Sequence, residues 1–440
     1  MISSSSSLIA AACSCRVLNA EVTFVEQELV QPMVLSKGSI NRLTEARARV
    51  RIQVSSGEAC GWGATYLSDV WAWPDPALTH AQRDGVLRQW CLRIASRLAA
   101  LVGGEAAHPL ELGLRLHEKV CEDKGFETDL TNIPVLARAM CLSPFDAAMH
   151  DAVGNALGIS GMCLYDVGVP VRTRGDRWFK GQSAVGTIAA MLRPRPLDRL
   201  AAWLVVGKQD DIDRDIRPWV ADRGYHCLKL KLQGRDVAQD IARTAEVVGA
   251  VLGSGCPLRL SIDTNEACPN AAFVLEYLQA LKRHHPVAFE RLEYFEQPTA
   301  RDIRKHPQDW RSVTKLKPVL LDEGLTSLDL LPLAEQQGWS GLALKTCKGH
   351  SLALVAAAWA CEHGQPIALQ DLTNPGIAAI HAAIMGAHLP TINGVELNSP
   401  QFSPAANEPY VRDWPGLFDV RHGYHRLSRT APPGLGAAVP

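Results

Sequence analysis

A chain of 440 residues exceeds the usual size of one hydrophobic core, so two packed units are expected. Hydrophobic residues make up 47% and charged residues 21%, the balance of a soluble globular protein rather than a disordered one. A formal net charge of −1 provides no field to gather nucleic acid or an anionic membrane surface, and the chain lacks an apolar run long enough to span a bilayer, so small molecules are the expected partners.

The chain opens with a serine run and then the short apolar stretch LIAAAC. No Lys or Arg precedes it, and it lies at the bottom of the length range for a secretion signal. Residues 1–19 therefore read as a disordered tail or a mis-called start, and a cytoplasmic location is expected. The twelve cysteines are scattered, with no CxxC pair. Cys13 and Cys15 fall in this tail, while Cys227, Cys256, Cys347 and Cys361 lie in or beside apolar runs, where buried free thiols in a reducing compartment are the ordinary reading.

Residues 20–171 read as an α+β capping domain. VTFVEQELVQPMVL and ARVRIQVSSGEACGWG alternate like strands, with SKGSINRLTEA (36–46) as a loop between them. Helical patterning follows in AQRDGVLRQWCLRIASRLAALV and PVLARAMCLSPFDAAMHDAVGNALG. In the second, Ser143-Pro144 predicts a helix start, with Ser as N-cap and Pro at the first helical position.

From 172 to 397 short apolar runs alternate with helical stretches. The runs are CLKLKL, LRLSID, LEYFE, VLLDE, LALK, PIALQD and GVEL, ending on Lys231, Asp263, Glu296, Asp322, Lys345, Gln370 and Glu396. These markers stand 32, 33, 26, 23, 25 and 26 residues apart, close to the length of a βαβ unit. With one more strand expected around FKGQSAVG (179–186), the fold class is α/β, a modified (β/α)7-8 TIM-type barrel with an N-terminal α+β cap. A doubly wound sheet is disfavoured, because no GxGxxG follows a strand. Residues 398–440 are expected to return to the cap.

In such a barrel all strand carboxyl ends converge on one mouth. Asp263, Glu296 and Asp322 would then repel one another unless a cation lay between them, and three hard oxygen ligands suit Mg2+, with Mn2+ also possible. Asp322 better fits the strand end than its neighbour Glu323, whose side chain should point to the opposite face. Lys229 and Lys231 stand two apart, so both amines share a face while the leucines pack under helices. Two close ammoniums lower the pKa of one, and Lys345 approaches from elsewhere around the ring. A base on either side of a metal-held carboxylate suits removal and return of an α-proton through an ene-diolate.

This ordered set resembles the enolase superfamily, in its muconate-lactonizing-enzyme-like subgroup (the mandelate racemase and muconate lactonizing enzyme family). The matching elements are Lys229-Leu-Lys231, Asp263-Thr-Asn265, Glu296-Gln-Pro298, Asp322-Glu323, Lys345, Gly61-Trp62-Gly63 and the SPFDAAMHDAVGNALG helix. The resemblance implies Asp263, Glu296 and Asp322 as metal ligands, Lys231 and Lys345 as the acid–base pair, and Lys229 as their assistant. It also implies a small-molecule carboxylate substrate and a homo-oligomer. Asn265, Glu323, Gln370, Glu396 and Asn398 remain as second-shell or substrate-binding candidates.

Two departures matter. A Gly-Gly pair usual after the last lysine is replaced by Lys348-Gly349-His350, so His350 becomes a site candidate or a solvent-exposed loop residue. Glu396-Leu-Asn398 resembles the cycloisomerase pattern as much as the paired acids that hold a dipeptide ammonium. Racemisation or epimerisation of an α-substituted carboxylate or amino-acid derivative is the leading expectation. A cycloisomerase or β-eliminating lyase using the same enolate, or a non-catalytic ligand-binding barrel, are the alternatives. Gln31 to Leu43 and the Trp-rich segment from Tyr66 are candidate cap loops over the mouth, the latter either touching ligand or packing on its own domain.

Overall fold

A computed structural model describes residues 13–35, 38–122, 132–166, 168, 171–252 and 257–437. Its first unit is an antiparallel meander of β1 (Arg16–Leu35), β2 (Gly38–Val54) and β3 (Gly57–Tyr66). Period-two alternation decides the faces: Ala46, Ala48, Val50 and Ile52 are buried, whereas Arg49 and Arg51 between them are exposed. The expected loop at 36–46 is mostly strand, because Leu35 pairs with Gly38 and the ladder runs on from there. Ser36 and Lys37 lie outside the described residues.

The expected tail is also shorter. Cys15 and Ala107 exchange backbone hydrogen bonds of 2.9 and 3.0 Å, and both Cys13 and Cys15 are buried, so the cap begins before residue 20. Residues 1–12 lie outside the described set, as does Cys256. Cys227 and Cys347 are buried free thiols, and Cys361 is partly buried.

The cap's central helix spans Val135–Leu157 without a break, so Ser143-Pro144 does not start it. A mid-helix proline removes one donor and frees the carbonyl four residues earlier. Here the Ser143 hydroxyl donates to the Met140 carbonyl at 2.8 Å and satisfies it. The same helix explains Gly61-Trp62-Gly63. A Cβ on Gly63 would stand 2.0 Å from the Pro144 carbonyl oxygen, and one on Gly61 2.2 Å from that of Ala148. Strand and helix thus touch backbone to backbone. Gly63→Ala should destabilise the protein by about 1–3 kcal/mol, the usual cost of overpacking, and more if neither backbone yields. Denaturant unfolding of the variant checks this, and an unchanged midpoint would contradict the close approach.

After the short β4 (Arg199–Ala201) comes a seven-stranded parallel sheet. Its strands are β5 (Trp203–Val206), β6 (Cys227–Lys231), β7 (Arg259–Asp263), β8 (Leu292–Glu296), β9 (Val319–Leu321), β10 (Gly341–Lys345) and β11 (Ile367–Gln370). The expected extra strand at 179–186 is wrong: Ala184–Met191 is helical, with Ser183 as its cap, and the true first strand is the apolar run WLVV. GVEL (394–397) forms no strand of its own and only bridges β11, at Gln370–Glu396.

The gap from β11 back to β5 is closed by side chains. The Gln401 amide accepts from the Val205 N–H at 3.1 Å and donates to its carbonyl at 2.8 Å, standing in for a ladder. Asn398 Nδ2 donates to the Trp203 carbonyl at 3.1 Å. Inside the sheet Trp203, Cys227, Tyr294, Leu320, Ala343 and Ala368 form an apolar plug, which confines polar side chains to the strand ends above it. The C-terminal segment reaches the cap, where the Leu435 N–H donates to Asp151 at 2.6 Å. Among the described residues no helix is long and apolar enough to cross a membrane.

Candidate active site

Register builds the site. Lys231 pairs with Asp263 and Asp263 with Glu296 across β6, β7 and β8, and Lys345 pairs with Gln370 across β10 and β11. The row is therefore set by backbone hydrogen bonds before any side chain is placed. Of the eleven residues singled out from the sequence, ten line one cavity: Lys229, Lys231, Asp263, Asn265, Asp322, Glu323, Lys345, Gln370, Glu396 and Asn398. Glu296 lies just beneath, wholly buried.

Asp263, Glu296, Asp322 and Glu396 each meet an ammonium. Lys231 Nζ lies 2.5 Å from Asp263 Oδ2, and Lys345 Nζ 2.5 Å from Asp322 Oδ2. Lys229 bridges Glu296 at 2.9 Å, Glu396 at 3.2 Å and Asp263 at 3.4 Å. Lys345 also reaches Glu296 at 3.5 Å, while the Gln370 amide links Lys345 to Glu296. The Asn265 N–H, in a left-handed turn at φ 46°, donates to Asp263 at 2.6 Å, and its side-chain oxygen accepts from Lys231 at 3.3 Å.

This arrangement revises the expected electrostatics. Burial alone would lower the lysines, but Glu296, Glu396 and Asp263 push Lys229 well up, and Asp322 and Glu296 raise Lys345. Against the upward push of burial, Lys345 and Lys348 hold Asp322 well below the ordinary carboxylate range. Burial lifts Glu296 to about 7, with Lys229 and Lys345 opposing, and burial plus the neighbouring Asp322 lifts Glu323 to about 8.

Glu323 corrects a second expectation, because it lines the cavity beside Asp322 instead of pointing away. β9 ends at Leu321, so strand alternation no longer applies. The turn is braced by Gln297, whose Oε1 accepts from the Asp322 N–H at 2.9 Å and the Gly324 N–H at 3.0 Å.

Three contributors were missed or underweighted. Lys348 is buried, with Nζ 2.9 Å from Asp322 Oδ1 and 2.5 Å from the Asp322 carbonyl oxygen. Its place three residues after Lys345, one turn past the strand end, was the available signal. His350 is the residue that does not join. It is buried against His150, ring centres 4.5 Å apart, and neither solvent nor the cavity reaches it. Trp71 comes from the cap: its Nε1 donates to Glu323 Oε1 at 2.9 Å, and its ring lies 5.7 Å from Lys345 Nζ. Arg301, paired with Glu266, holds the Trp71 carbonyl at 2.9 Å. Gln297, read only as part of a motif, is the third.

Among the described residues no three His, Cys, Asp or Glu side chains present a ready metal cage. The donor set nonetheless fits a hard divalent cation. Asp263, Glu296 and Asp322 are all-oxygen donors from three neighbouring strands, buried together and linked through shared ammoniums that already supply positive charge between them.

Residues 211–440 match the family model described as enolase C-terminal domain-like. The chain belongs to that family. Membership of the enolase superfamily implies an enzyme, an isomerase or a lyase. No curated protein matches the chain. Solved structures share the enolase-type fold over nearly the whole length. A muconate lactonizing enzyme from Pseudomonas fluorescens complexed with muconolactone is 19% identical, with 97% of each chain covered and a TM-score of 0.64. A dipeptide epimerase from Enterococcus faecalis complexed with Mg and the dipeptide L-Leu-L-Tyr is 16% identical, covering 96% of this chain and 99% of that one, TM-score 0.65. An N-succinyl Arg/Lys racemase from Bacillus cereus is 16% identical, covering 97% and 96%, TM-score 0.64. The fold is that of an enolase-type barrel with its capping domain.

Proposed function

We propose that this enzyme removes the α-proton of a carboxylate substrate and returns one to the opposite face, racemising or epimerising an α-substituted acid. The observation that carries this reading is the pair of buried lysines on either flank of one carboxylate cluster. Lys231 ends β6 and Lys345 ends β10, with β7, β8 and β9 and their acids between them.

Asp263, Glu296 and Asp322 would hold Mg2+, with Mn2+ also suited to the donors, as the Enterococcus dipeptide epimerase structure holds Mg. When bound, the ion supplies Lewis-acid polarisation of the substrate carboxylate, which makes the α-proton removable. Lys231 and Lys345 do the proton work once released from Asp263 and Asp322: one, then a neutral amine, takes the proton and the opposite ammonium delivers one, so the configuration inverts. Lys229, locked among Glu296, Glu396 and Asp263, stays cationic and orients the anionic substrate group. Trp71 covers the Lys345 side and limits water.

The test is isotopic. Protein, Mg2+ and a broad carboxylate library in D2O should yield α-deuterium in at least one acid by mass spectrometry. No exchange with any member would reject proton abstraction.

A further inference from the structure

Resting on the proton-abstraction reading, the cavity's remaining walls say what else the acid carries. Its lining falls into two halves. One is polar, the strand-end acids, lysines and amides with the Ser68 and Thr373 hydroxyls; the other is Met33, Ile40 and Leu43 from the cap hairpin, Trp71 from the cap helix turn, and Val205 and Leu372 from the barrel. These six apolar side chains come from four separate parts of the chain.

Charge sharpens the point. The cations lining the cavity are Lys229, Lys231 and Lys345, and each is already paired with Asp263, Glu296 or Asp322. Arginine is absent from the described lining. Glu396 adds a further carboxylate, 5% exposed, whose Oε2 lies 3.2 Å from Lys229 without hydrogen-bond geometry. Among the described lining residues, a second carboxylate on the substrate would meet apolar side chains and this acid, with no unpaired cation.

Backbone strain also points at this wall. Leu372 and Thr373 both adopt left-handed conformations, at φ 60° and 66°, which cost non-glycine residues energy. The Thr373 N–H is held to Asp371 Oδ1 at 2.8 Å, and the turn places Leu372 on the cavity.

We propose that the substrate is a monocarboxylate whose α-carbon bears a compact aliphatic substituent, seated against the wall of Met33, Ile40, Leu43, Trp71, Val205 and Leu372. This separates the enzyme from one acting on a dicarboxylate.

N-acetylleucine and N-acetylaspartate are near-isosteric probes that differ by the side-chain charge. With Mg2+ present, calorimetry should show the leucine derivative binding about 100-fold more tightly or better, the range expected for placing an unpaired charge against apolar groups. Equal or stronger binding of the aspartate derivative, or binding of neither, overturns the proposal. Deuterium exchange on the same probes is read separately. Leucine binding without exchange leaves the apolar wall standing and counts against the chemistry. Met33→Arg supplies the missing cation and should shift the ratio toward the aspartate derivative by about tenfold or more; an unmoved ratio in the folded variant also overturns the proposal.

Discussion

Lys345→Ala should abolish racemisation while leaving stereoretentive α-deuteration of one enantiomer through Lys231. Losing one positioned acid–base group removes about 10²–10⁴-fold in rate. The surviving exchange is what separates two opposed bases from a single shuttling one. Lys345 also neutralises Asp322 at 2.5 Å and Glu296 at 3.5 Å, so without Mg2+ the variant should lose stability, by less than the roughly 3–5 kcal/mol of a fully broken buried pair because Lys348 and Lys229 still meet those acids. Mg2+ supplies the lost charge, so its affinity should be no weaker than in the wild type. Lys345→Arg keeps the charge but cannot give up a proton at neutral pH, and it should lose racemisation as well. Chiral chromatography, deuterium analysis and calorimetric Mg2+ titration read these outcomes. Racemisation at wild-type rate in either variant, or a parallel loss of metal, would remove Lys345 from its role.

Asp263→Asn should act on the metal instead. Asp263 is buried, accepts from Lys231 and from the Asn265 backbone, and lies 3.4 Å from Lys229. Replacing it with a neutral amide takes one charge from a three-carboxylate ligand set and leaves two ammoniums short of a partner. Mg2+ affinity should fall by about 100-fold or more, at or beyond the upper end for residues that only support a ligand. Since a ligand stabilises by mass action, the Mg2+-dependent rise in unfolding midpoint should shrink with it. A folded Asp263→Asn protein with unchanged Mg2+ affinity would take this residue out of the ligand set.

The barrel's polar row was legible because a strand repeats every two residues. Lys229 and Lys231 had to share a face, and the spacing of Asp263, Glu296 and Lys345 matched one βαβ unit after another. Trp203–Val206 was not legible, since a strand buried all along its length carries no alternation and no charged end residue. Pro144 misled in the opposite direction. A proline usually marks a helix start, and only the Ser143 hydroxyl on the Met140 carbonyl reveals that it is accommodated inside. Gly61 and Gly63 stood out as a motif, yet their reason, backbone contact with Pro144 and Ala148, exists only in the folded pair.

By itself the sequence determined the fold class, the row of strand-end charges and the membership of its carboxylates and lysines in one mouth. These follow from local periodicity, which repeats whatever the distant chain does. Tertiary structure decided that Lys348 joins Asp322, that His350 does not enter, and that Trp71 of the cap fastens to Glu323. It also decided that Lys229 and Lys345 stand as carboxylate-paired cations rather than as mutually repelling ammoniums. The reason is that pairing energy depends on distance and burial between strands, neither of which is written in the spacing of residues along one of them.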